Sequence, residues 1–469
     1  MISLRNSLRP VNRLPPEVLT ACATFVSDTD PRPIVSLTHV CRYWRRSITS
    51  NPRSWASIGS RWKRLVPLCL KRAGAVPLAV DITIPDVRGN LGFLEALMPH
   101  MARVAHLSLA GYSSIETVAD ELPSLFTSPT PDLTSLELQQ TPEPVELFPP
   151  RTATVPPVFQ KVSKLKSLHL TRTPLYPPLF GIPSLVELKL IGYTNPFNFM
   201  TFMEFLASNP NLETVFLDIG FMEGSTRLAP VRMVSLVRLR RLSITRAKPN
   251  DAKRLLSNIS LPRGTSLEVS CLHWTSLGLC LPSPPTPIHR LLTPIIAIRI
   301  RASPREIHVF GSNGGIFSFR CPGNESFFKS ELDPFPITSV REFHVEVASW
   351  TFTPALLDSL LTRLPALETL TIANAASWAA GTFDSLAGQP PLCPSLKTIA
   401  FFNCGFSPQA LKEFGGVVAK RKGSEAAWLY RVVIVSNTRP LPDYTMIQQL
   451  RQHVPCVNVG VDDKLPDLA

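Results

Sequence analysis

The 469-residue sequence predicts an α/β solenoid preceded by a small all-α module of three helices. Two observations lead to this fold class. An apolar motif recurs at intervals from about residue 76 onward, which is typical of stacked repeats. The first sixty or so residues instead carry apolar side chains at helical spacing. The composition agrees, because 47 prolines against 22 glycines favour many short elements separated by turns.

The predicted organisation has four parts along the chain. Residues 11–60 form the helical module, residues 61–75 a connector helix, residues 76–460 the repeat array and residues 461–469 a tail. The chain is too long for one compact core, which suits an array whose repeats pack only on their neighbours. Residues 248–335 are poorly patterned and leave open an interruption of the array.

The first helix of the module is predicted to start between Leu14 and Glu17. Two prolines there fit a first helical turn, and the glutamate stabilises the positive end of the helix dipole. Four apolar side chains follow at helical spacing, namely Val18, Leu19, Cys22 and Phe25. The loop at residues 28–33 then ends the helix.

A single second helix is predicted from Ile34 to Thr49. One face of this helix is apolar and consists of Leu37, Val40, Cys41, Trp44 and Ile48. Pro52 breaks the helix, and Trp55 and Ile58 are predicted to begin a third, short one. A module of this size does not easily bury so many large apolar side chains, so we expect a partner protein to cover some of them.

The ordered series of residues in the module resembles an F-box. The matching positions are Leu14, Pro15, Glu17, Val18, Leu19, Leu37, Val40, Cys41, Arg42, Trp44, Ile48, Pro52, Trp55 and Ile58. This resemblance implies docking onto the Skp-type adaptor of a cullin–RING ubiquitin ligase. The residues expected to bind that adaptor are Leu14, Pro15, Val18, Leu19, Leu37, Val40, Cys41, Trp44, Trp55 and Ile58. The loop at residues 28–33 departs from the family's spacing, which would weaken docking without removing it.

A second interpretation of the module stays open, because motif matches carry a false-positive risk. Leu37, Trp44 and Trp55 would then be the core of a helical cap, which solenoids need at their ends. The two interpretations differ in whether the module leaves apolar surface for a partner.

The repeat is an apolar–x–x–apolar–x–apolar motif. Its middle apolar residues are Leu107, Leu136, Leu168, Leu188, Val215 and Leu242, and later Phe343, Leu370, Ile399 and Val432. The last two apolar positions alternate, so they point to one side of a short strand. Helical patterns such as residues 199–208 and 354–363 occupy the segments between strands. Each repeat is therefore predicted to be a strand, a turn and a returning helix, although unrelated α/β units would give a similar periodicity.

The array resembles the leucine-rich-repeat family over most of residues 76–460, in the long, irregular form found in adaptor proteins. The resemblance implies an irregular horseshoe, and for the whole chain a substrate receptor with an F-box and C-terminal leucine-rich repeats. One feature departs from the family, since the Asn or Cys expected three residues after the last apolar position is mostly absent. Thr141, Thr173, Tyr193, Gly220 and Ala247 occupy that position in five repeats, whereas Cys404 fits the family pattern. We therefore expect the asparagine ladder to be lost.

Residues between the apolar positions of each strand are predicted to face away from the core and to form a substrate-binding strip. Ile191 and Phe216 are apolar where solvent is expected, which makes them candidate anchors for a target protein. Single exposed apolar residues are also ordinary on protein surfaces. Arg241 would favour an acidic or phosphorylated ligand. The candidate substrate-binding residues are Ile191, Phe216, Asp218, Arg241, Glu342 and His344.

The net charge of +13 is concentrated in the middle of the chain, where residues 225–310 contain 14 lysines and arginines against three acidic residues. Such a band attracts acidic partners, or is simply a solvated face. Nucleic-acid binding is the less favoured interpretation, because the band lacks the regular aromatic residues that stack on bases. A repeat scaffold with no ligase role is a further alternative.

The sequence shows no constellation that would make the chain an enzyme. The glycines at 311–315 lack the lysine and helix of a phosphate-binding loop, and the cysteines and histidines at 271–289 fit no zinc spacing. No cofactor or metal is expected. The nine cysteines are predicted to be reduced thiols of a cytoplasmic or nuclear protein, because no signal peptide is apparent. No apolar run reaches the length of a membrane span.

Overall fold

The computed structural model describes residues 10–27, 32–87, 91–112, 130–141, 162–173, 181–193, 197–219, 222–223, 233–271, 277–282, 291–301, 305–321, 335–346, 351–352, 354–375, 377–378, 382–388, 392–422, 428–436 and 444–460. The chain divides into two compact units, Met1–Leu228 and Ala229–Ala469. The division therefore falls inside the predicted array. The predicted tail and most of the loop at residues 28–33 lie outside the described residues.

The first unit begins with a 3₁₀ turn (Pro10–Arg13) and three helices, α1 (Pro16–Ser27), α2 (Arg32–Thr38) and α3 (Arg42–Thr49). The predicted single second helix is thus wrong, because the backbone leaves the helical conformation after Thr38. Cys41 is extended there, with φ −159° and ψ 173°. The Arg45 Nε atom donates to the Thr38 carbonyl at 2.9 Å and so satisfies a backbone acceptor at the end of α2.

The predicted third helix is replaced by a 3₁₀ turn (Pro52–Trp55) and a short strand, β1 (Ser57–Gly59). Strand β1 pairs in parallel with β2 (Leu78–Thr83), so Ile58 belongs to the sheet. A second 3₁₀ segment (Ser60–Leu65) and helix α4 (Val66–Ala73) connect the two strands. The end of the helical module is therefore continuous with the sheet of the first unit.

The sheet of the first unit contains parallel strands in chain order. After β2 come β3 (Val104–Tyr112), β4 (Ser135–Gln140), β5 (Ser167–Thr171), β6 (Glu187–Tyr193) and β8 (Thr214–Ile219), while β7 (Phe197–Asn198) pairs with β9 (Met222–Glu223). The intervening described helices are α5 (Ile84–Val87), α6 (Leu91–Leu97), a 3₁₀ segment (Met98–Arg103) and α7 (Phe199–Ser208).

The register of this sheet places the repeat residues side by side. Leu107 aligns with Leu136, which in turn aligns with Leu168, and the next apolar position repeats the alignment at Leu109 and Leu138. All five side chains are buried. Burial on one face of adjacent parallel strands is what the alternating motif predicts, and it leaves the intervening side chains on the other face, which we call the outward face.

The second unit has a longer sheet. Its strands are β11 (Arg241–Ala247), β13 (Ser266–Cys271), β14 (Ile295–Arg301), β15 (Arg305–Gly311), β16 (Ile316–Cys321), β17 (Glu342–Glu346), β19 (Thr369–Ala373), β21 (Thr398–Phe402), β22 (Arg431–Val435) and β23 (Cys456–Gly460). Two small pairs accompany it, β10 (Val234–Ser235) with β12 (Ile259–Ser260) and β18 (Thr351–Phe352) with β20 (Ser377–Trp378). The described helices are α8 (Pro249–Ser257), α9 (Leu277–Cys280), α10 (Pro354–Leu361), α11 (Pro408–Lys422) and α12 (Tyr444–His453), with 3₁₀ turns at Ile337–Ser339 and Asp384–Ala387.

An antiparallel meander interrupts the parallel order of this second sheet. Strands β14, β15 and β16 pair with one another in antiparallel fashion. Strand β16 lies parallel to β13, and β14 lies parallel to β17, so the meander occupies three positions within the sheet. It falls within residues 248–335, where the repeat motif is weak. Beyond the meander, strands β17, β19, β21, β22 and β23 follow one another in this order, and each pairs in parallel with the next.

Six of the strands end in the same backbone conformation. The second residue after the last apolar position has a positive φ of 52° to 79° and is Gly111, Arg172, Gly192, Arg246, Asn374 or Asn403. Positive φ is rare outside glycine and asparagine, so its recurrence at one position shows that the six segments share a local backbone geometry. In β3, β6 and β11 this residue forms a bulge after which one more residue pairs, and in the other three segments it follows the strand.

Hydroxyl and thiol groups bond between neighbouring strands at the position from which the asparagine ladder is predicted to be lost. Thr173 Oγ1 lies 2.7 Å from the Tyr112 hydroxyl and donates to the Leu138 carbonyl at 3.3 Å. In the second unit, Cys404 Sγ donates to the Ile372 carbonyl of the preceding strand at 3.4 Å. These buried groups satisfy backbone acceptors between neighbouring strands, which is the task of an asparagine ladder. The fold is accordingly mixed α/β, with a large, mostly parallel sheet and associated helices.

Candidate functional site

Helix α1 is apolar on two sides, of which only one is covered. Leu19 and Ala23 are buried within the unit. The other apolar side carries Val18, Ala21, Cys22 and Phe25, which are all exposed. Ala21, Cys22 and Phe25 lie three, four and seven residues after Val18, so all four share one face of the helix. Phe25 is 80% exposed, which is exceptional for a large aromatic side chain. We call these four residues the α1 stripe.

Further apolar and basic residues belong to the same N-terminal region. Val40, in the turn between α2 and α3, is 51% exposed, and Val11 is also exposed. The exposed charges nearby are Arg13, Arg42, Arg45, Arg46 and Arg53, and Glu17 is the one acidic residue among the described positions between 10 and 59. The exposed apolar surface of the region is therefore accompanied by positive charge.

Seven of the ten predicted adaptor-binding residues have accessible surface. Pro15, Val18 and Val40 are exposed, whereas Leu14, Leu37, Cys41 and Trp44 are half-buried. Leu14 is held in place through its carbonyl, which accepts a hydrogen bond from the Tyr43 hydroxyl at 2.6 Å. This contact links the segment before α1 to helix α3.

The prediction is wrong for the other three adaptor-binding residues, which are core residues of this chain. Leu19, Trp55 and Ile58 are each 2% exposed. The Trp55 Nε1 atom donates to the Ile48 carbonyl at 3.0 Å, and the Arg72 guanidinium lies 4.2 Å from the centre of the indole ring. Their large apolar side chains fill space between the helices and the first strands of the sheet. A partner protein would not reach them without opening that packing.

The outward face of the first unit is polar. The central register line across its strands consists of Asp81, Ser108, Glu137, His169, Lys189 and Phe216. Side chains on this face bond to one another, as Ser167 Oγ does to Glu187 Oε2 at 3.0 Å and to His169 Nε2 at 3.1 Å. Burial lowers the pKa of His106 on the same face, although Glu137 opposes the shift.

The structure brings three of the predicted substrate-binding residues together on this face. Ile191 and Asp218 are direct partners in the register of β6 and β8, and Phe216 is two residues before Asp218. All three are half-buried. The Lys189 ammonium lies 5.7 Å from the centre of the Phe216 ring, within range of a cation–π interaction.

The remaining three predicted substrate-binding residues lie in the second unit. Arg241 is exposed but already contacts Glu268, at 3.5 Å. Glu342 is exposed. His344 is only 4% exposed, so the prediction that it is an accessible residue of the binding strip is wrong. Burial, followed by the charge of Arg299, lowers its pKa to about 4, so the imidazole is neutral at pH 7.

Sequence reasoning missed an apolar patch on the outward face of the second unit. Ala373, Ala400 and Phe402 are buried there, with the half-buried Val433 and Val435 packed against them. Phe25 of the α1 stripe was also absent from the predicted contact residues, although its helical spacing from Val18 is visible in the sequence. The apolar patch is harder to foresee because its members occupy positions that alternate with the core.

The described ranges contain no group of three or more His, Cys, Asp and Glu side chains that would hold a metal ion. The described helices likewise include none with the length and apolar character needed to cross a membrane. A scan against models of known protein families finds no match for this chain, and a search of curated proteins finds none either. The candidate functional surfaces described above are the α1 stripe and the outward faces.

Proposed function

We propose that this chain is the non-catalytic substrate receptor of a cullin–RING ubiquitin ligase. Its N-terminal helices would be an F-box-like module that binds a Skp-type adaptor, and its repeat segments an irregular leucine-rich-repeat solenoid that binds a target protein. The observation that carries this proposal is the α1 stripe, because it leaves Phe25 and its apolar neighbours uncovered on a folded helix.

The stripe has the properties of a protein-binding surface. Aromatic and aliphatic residues grouped on one helix face, with charges around them, are typical of the centre and rim of an interface. Val18, Cys22 and Phe25 would form the apolar centre, and the arginines of α3 would form part of the rim. The complementary partner is a protein whose apolar groove is bordered by acidic residues, since opposite charges steer association.

Two features of the strand segments support the solenoid part of the proposal. A residue with positive φ recurs at the same position near the ends of six strands, and buried hydroxyl or thiol groups bond to the carbonyls of the preceding strand. Both are expected when each segment is a copy of one repeating unit. In such an array the outward faces of neighbouring strands combine into an extended surface that suits a protein target.

The role would be one of positioning. A receptor that holds its target beside an activated ubiquitin raises the effective concentration of the reacting groups, and other subunits supply the chemistry. The residues of the α1 stripe would then affect complex assembly, while the residues of the outward faces would affect the choice of target.

The test is co-purification of the full chain with a Skp-type adaptor, followed by titration calorimetry on the purified proteins. Phe25→Glu should weaken adaptor binding at least tenfold, because it places a charge at the centre of an apolar interface. Trp44→Ala should also lose at least tenfold, since Trp44 is large and only half-buried in the free chain. Circular dichroism on each variant reports whether the fold is intact.

Val237→Glu is the matched control, because Val237 is an exposed apolar residue of the second unit and receives the same charge. Its adaptor affinity should equal that of the wild type. If a folded wild-type chain does not bind the adaptor, the ligase role is refuted and a repeat scaffold remains. Equal losses for Phe25→Glu and Val237→Glu would show that the stripe is not the docking surface.

A further inference from the structure

Two of the nine cysteines contact each other in the second unit. Cys271 is the last residue of β13 and Cys280 is the last residue of α9, and their Sγ atoms lie 3.5 Å apart. Both side chains are buried, and neither belongs to a disulfide. The two thiols therefore meet where a helical turn packs against the end of a strand. We call these two residues the thiol pair.

Cys393 and Cys69 provide a contrast, because they are buried thiols of the inert kind. Cys393 Sγ donates to the Leu361 carbonyl at 3.4 Å. Burial raises the pKa of Cys393 to about 12 and that of Cys69 to about 11. A thiol with such a pKa stays protonated at neutral pH, and the protonated form is not the nucleophile. These two residues are therefore expected to be unreactive in the folded chain.

Cys271 departs from that pattern although it is also buried. Its pKa is lowered, chiefly because the Cys280 thiol donates a hydrogen bond to its sulfur, and this effect outweighs that of burial. A lowered pKa raises the fraction of Cys271 that is thiolate and able to react. The same contact holds a second thiol 3.5 Å from that sulfur. An oxidised Cys271 would therefore have a resolving thiol beside it.

The position of the thiol pair suits a small oxidant and a small movement. A disulfide bond is about 2.05 Å long, so the two sulfurs must approach each other by roughly 1.5 Å, which rotation of the side chains supplies. Cys280 lies on the inner side of a helical turn whose outer residues, Gly278 and Leu279, are exposed. Opening a single surface turn costs far less free energy than unfolding the chain, and it admits a molecule as small as hydrogen peroxide.

We propose that the thiol pair is a reversible oxidation site, at which hydrogen peroxide converts Cys271 and Cys280 into an intramolecular disulfide. The Cys271 thiolate attacks one peroxide oxygen, and the O–O bond breaks to give a sulfenic acid and hydroxide. The Cys280 thiolate then attacks the oxidised sulfur, and its hydroxyl group leaves as a second hydroxide.

This sequence of steps balances in atoms and electrons. The two hydroxides take up the two thiol protons, so the products are one disulfide and two water molecules. The two sulfurs together lose two electrons, and the peroxide oxygens gain them. A thiol reductant reverses the reaction by attack on the disulfide and exchange through a mixed disulfide.

The disulfide would join α9 to a strand inside the sheet. Strand β13 pairs with β11 on one side and with β16 of the meander on the other. A cross-link at Cys271 would therefore anchor the helical turn to the sheet beside the meander, and the turn would open less often. The site does not depend on the proposed ligase role, because it involves neither the α1 stripe nor a target protein.

The test treats the folded full chain with hydrogen peroxide and follows its cysteines by peptide mass spectrometry. The tryptic peptide 264–290 contains the thiol pair and no other cysteine. It should lose two hydrogens, at least tenfold faster than any other disulfide forms, and dithiothreitol should restore both thiols. Cys271→Ala should abolish this loss, whereas Cys393→Ala, which removes another buried thiol of the second unit, should leave its rate unchanged.

Mapping of the wild type decides the proposal even if Cys271→Ala does not fold. A peptide 264–290 that keeps both thiols, or that gains oxygen at Cys271 without a cross-link, overturns the site. The same experiment in urea separates the folded contact from closeness in sequence, and an equal rate of cross-linking in the unfolded chain also overturns it.

Amide hydrogen exchange tests the consequence for α9. Exchange of residues 277–280 should be at least tenfold slower in the oxidised chain than in the reduced chain, while exchange in the first unit stays the same. Slower exchange confined to this turn supports the proposed anchoring. Equal exchange of these amides in the two forms refutes it.

Discussion

The outward faces of the two units are built from the same strand pattern and yet differ in character. In the first unit the central register line is polar and half-exposed, as at Glu137, His169 and Lys189. In the second unit the corresponding positions of β19 and β21 are Thr371 and Ala400, and both are buried. The repeat thus determines which side chains enter the core, while the outward positions are free to vary. That freedom allows one face to be solvated and another to be apolar.

The largest difference in stability between the two outward faces should appear when a charged side chain is introduced at an outward position. Ala400→Asp places a carboxylate at a buried outward position of the second unit and should cost about 3 kcal/mol of stability or more. Thr171→Asp, at a half-exposed outward position of the first unit, should cost about 1 kcal/mol or less. Urea denaturation of the full chain, with amide hydrogen exchange to locate the effect, measures both. Similar costs would show that the faces do not differ in burial.

A smaller loss of stability is expected when the pH is lowered, again in the second unit. The pKa of His344 is lowered from 6.5 to about 4 in the folded chain, so between these values the unfolded chain binds more protons. Stability contributed by neutral His344 is therefore fully present above pH 6.5 and is lost as the pH falls toward 4. The loss should be at most about 3 kcal/mol.

The His344→Gln variant provides the comparison for this pH effect. Glutamine does not titrate, so its denaturation midpoint should fall less steeply than that of the wild type between pH 6.5 and pH 4. The corresponding substitution in the first unit is His169→Gln, at a half-buried and hydrogen-bonded histidine. Identical slopes for the wild type and His344→Gln would contradict the burial of a neutral imidazole.

The same contrast between core and outward positions explains which parts of the fold the sequence predicted. The apolar repeat predicted strands β3 to β6, β8, β11, β17, β19, β21 and β22 well, because alternation of Leu, Val and Ile reports directly on burial. It did not predict the meander, since residues 295–321 lack the repeat and their pairing depends on contacts distant in sequence. It also did not predict that the Thr173 hydroxyl bonds to the preceding strand where the asparagine ladder is lost.

The sequence predicted the exposure of some candidate site residues and not of others, for a related reason. Val18 and Leu19 are both predicted to bind the adaptor, and helical spacing does not distinguish the exposed Val18 from Leu19, which is buried. The F-box resemblance predicts Trp55 and Ile58 as adaptor-binding residues because it assigns roles by position in the motif, not by burial. Sequence patterns report local geometry, and these sites depend on tertiary pairing.

The smallest expected effect lies on the outward face of the first unit, at the contact between Lys189 and Phe216. The ammonium is 5.7 Å from the ring centre and partly exposed, so the cation–π interaction should contribute about 0.5 kcal/mol. A double-mutant cycle of Lys189→Gln and Phe216→Leu, measured by urea denaturation, isolates this coupling from the loss of each side chain. A coupling near zero would mean that Phe216 is held by packing alone, which would leave its ring freer to contact a target.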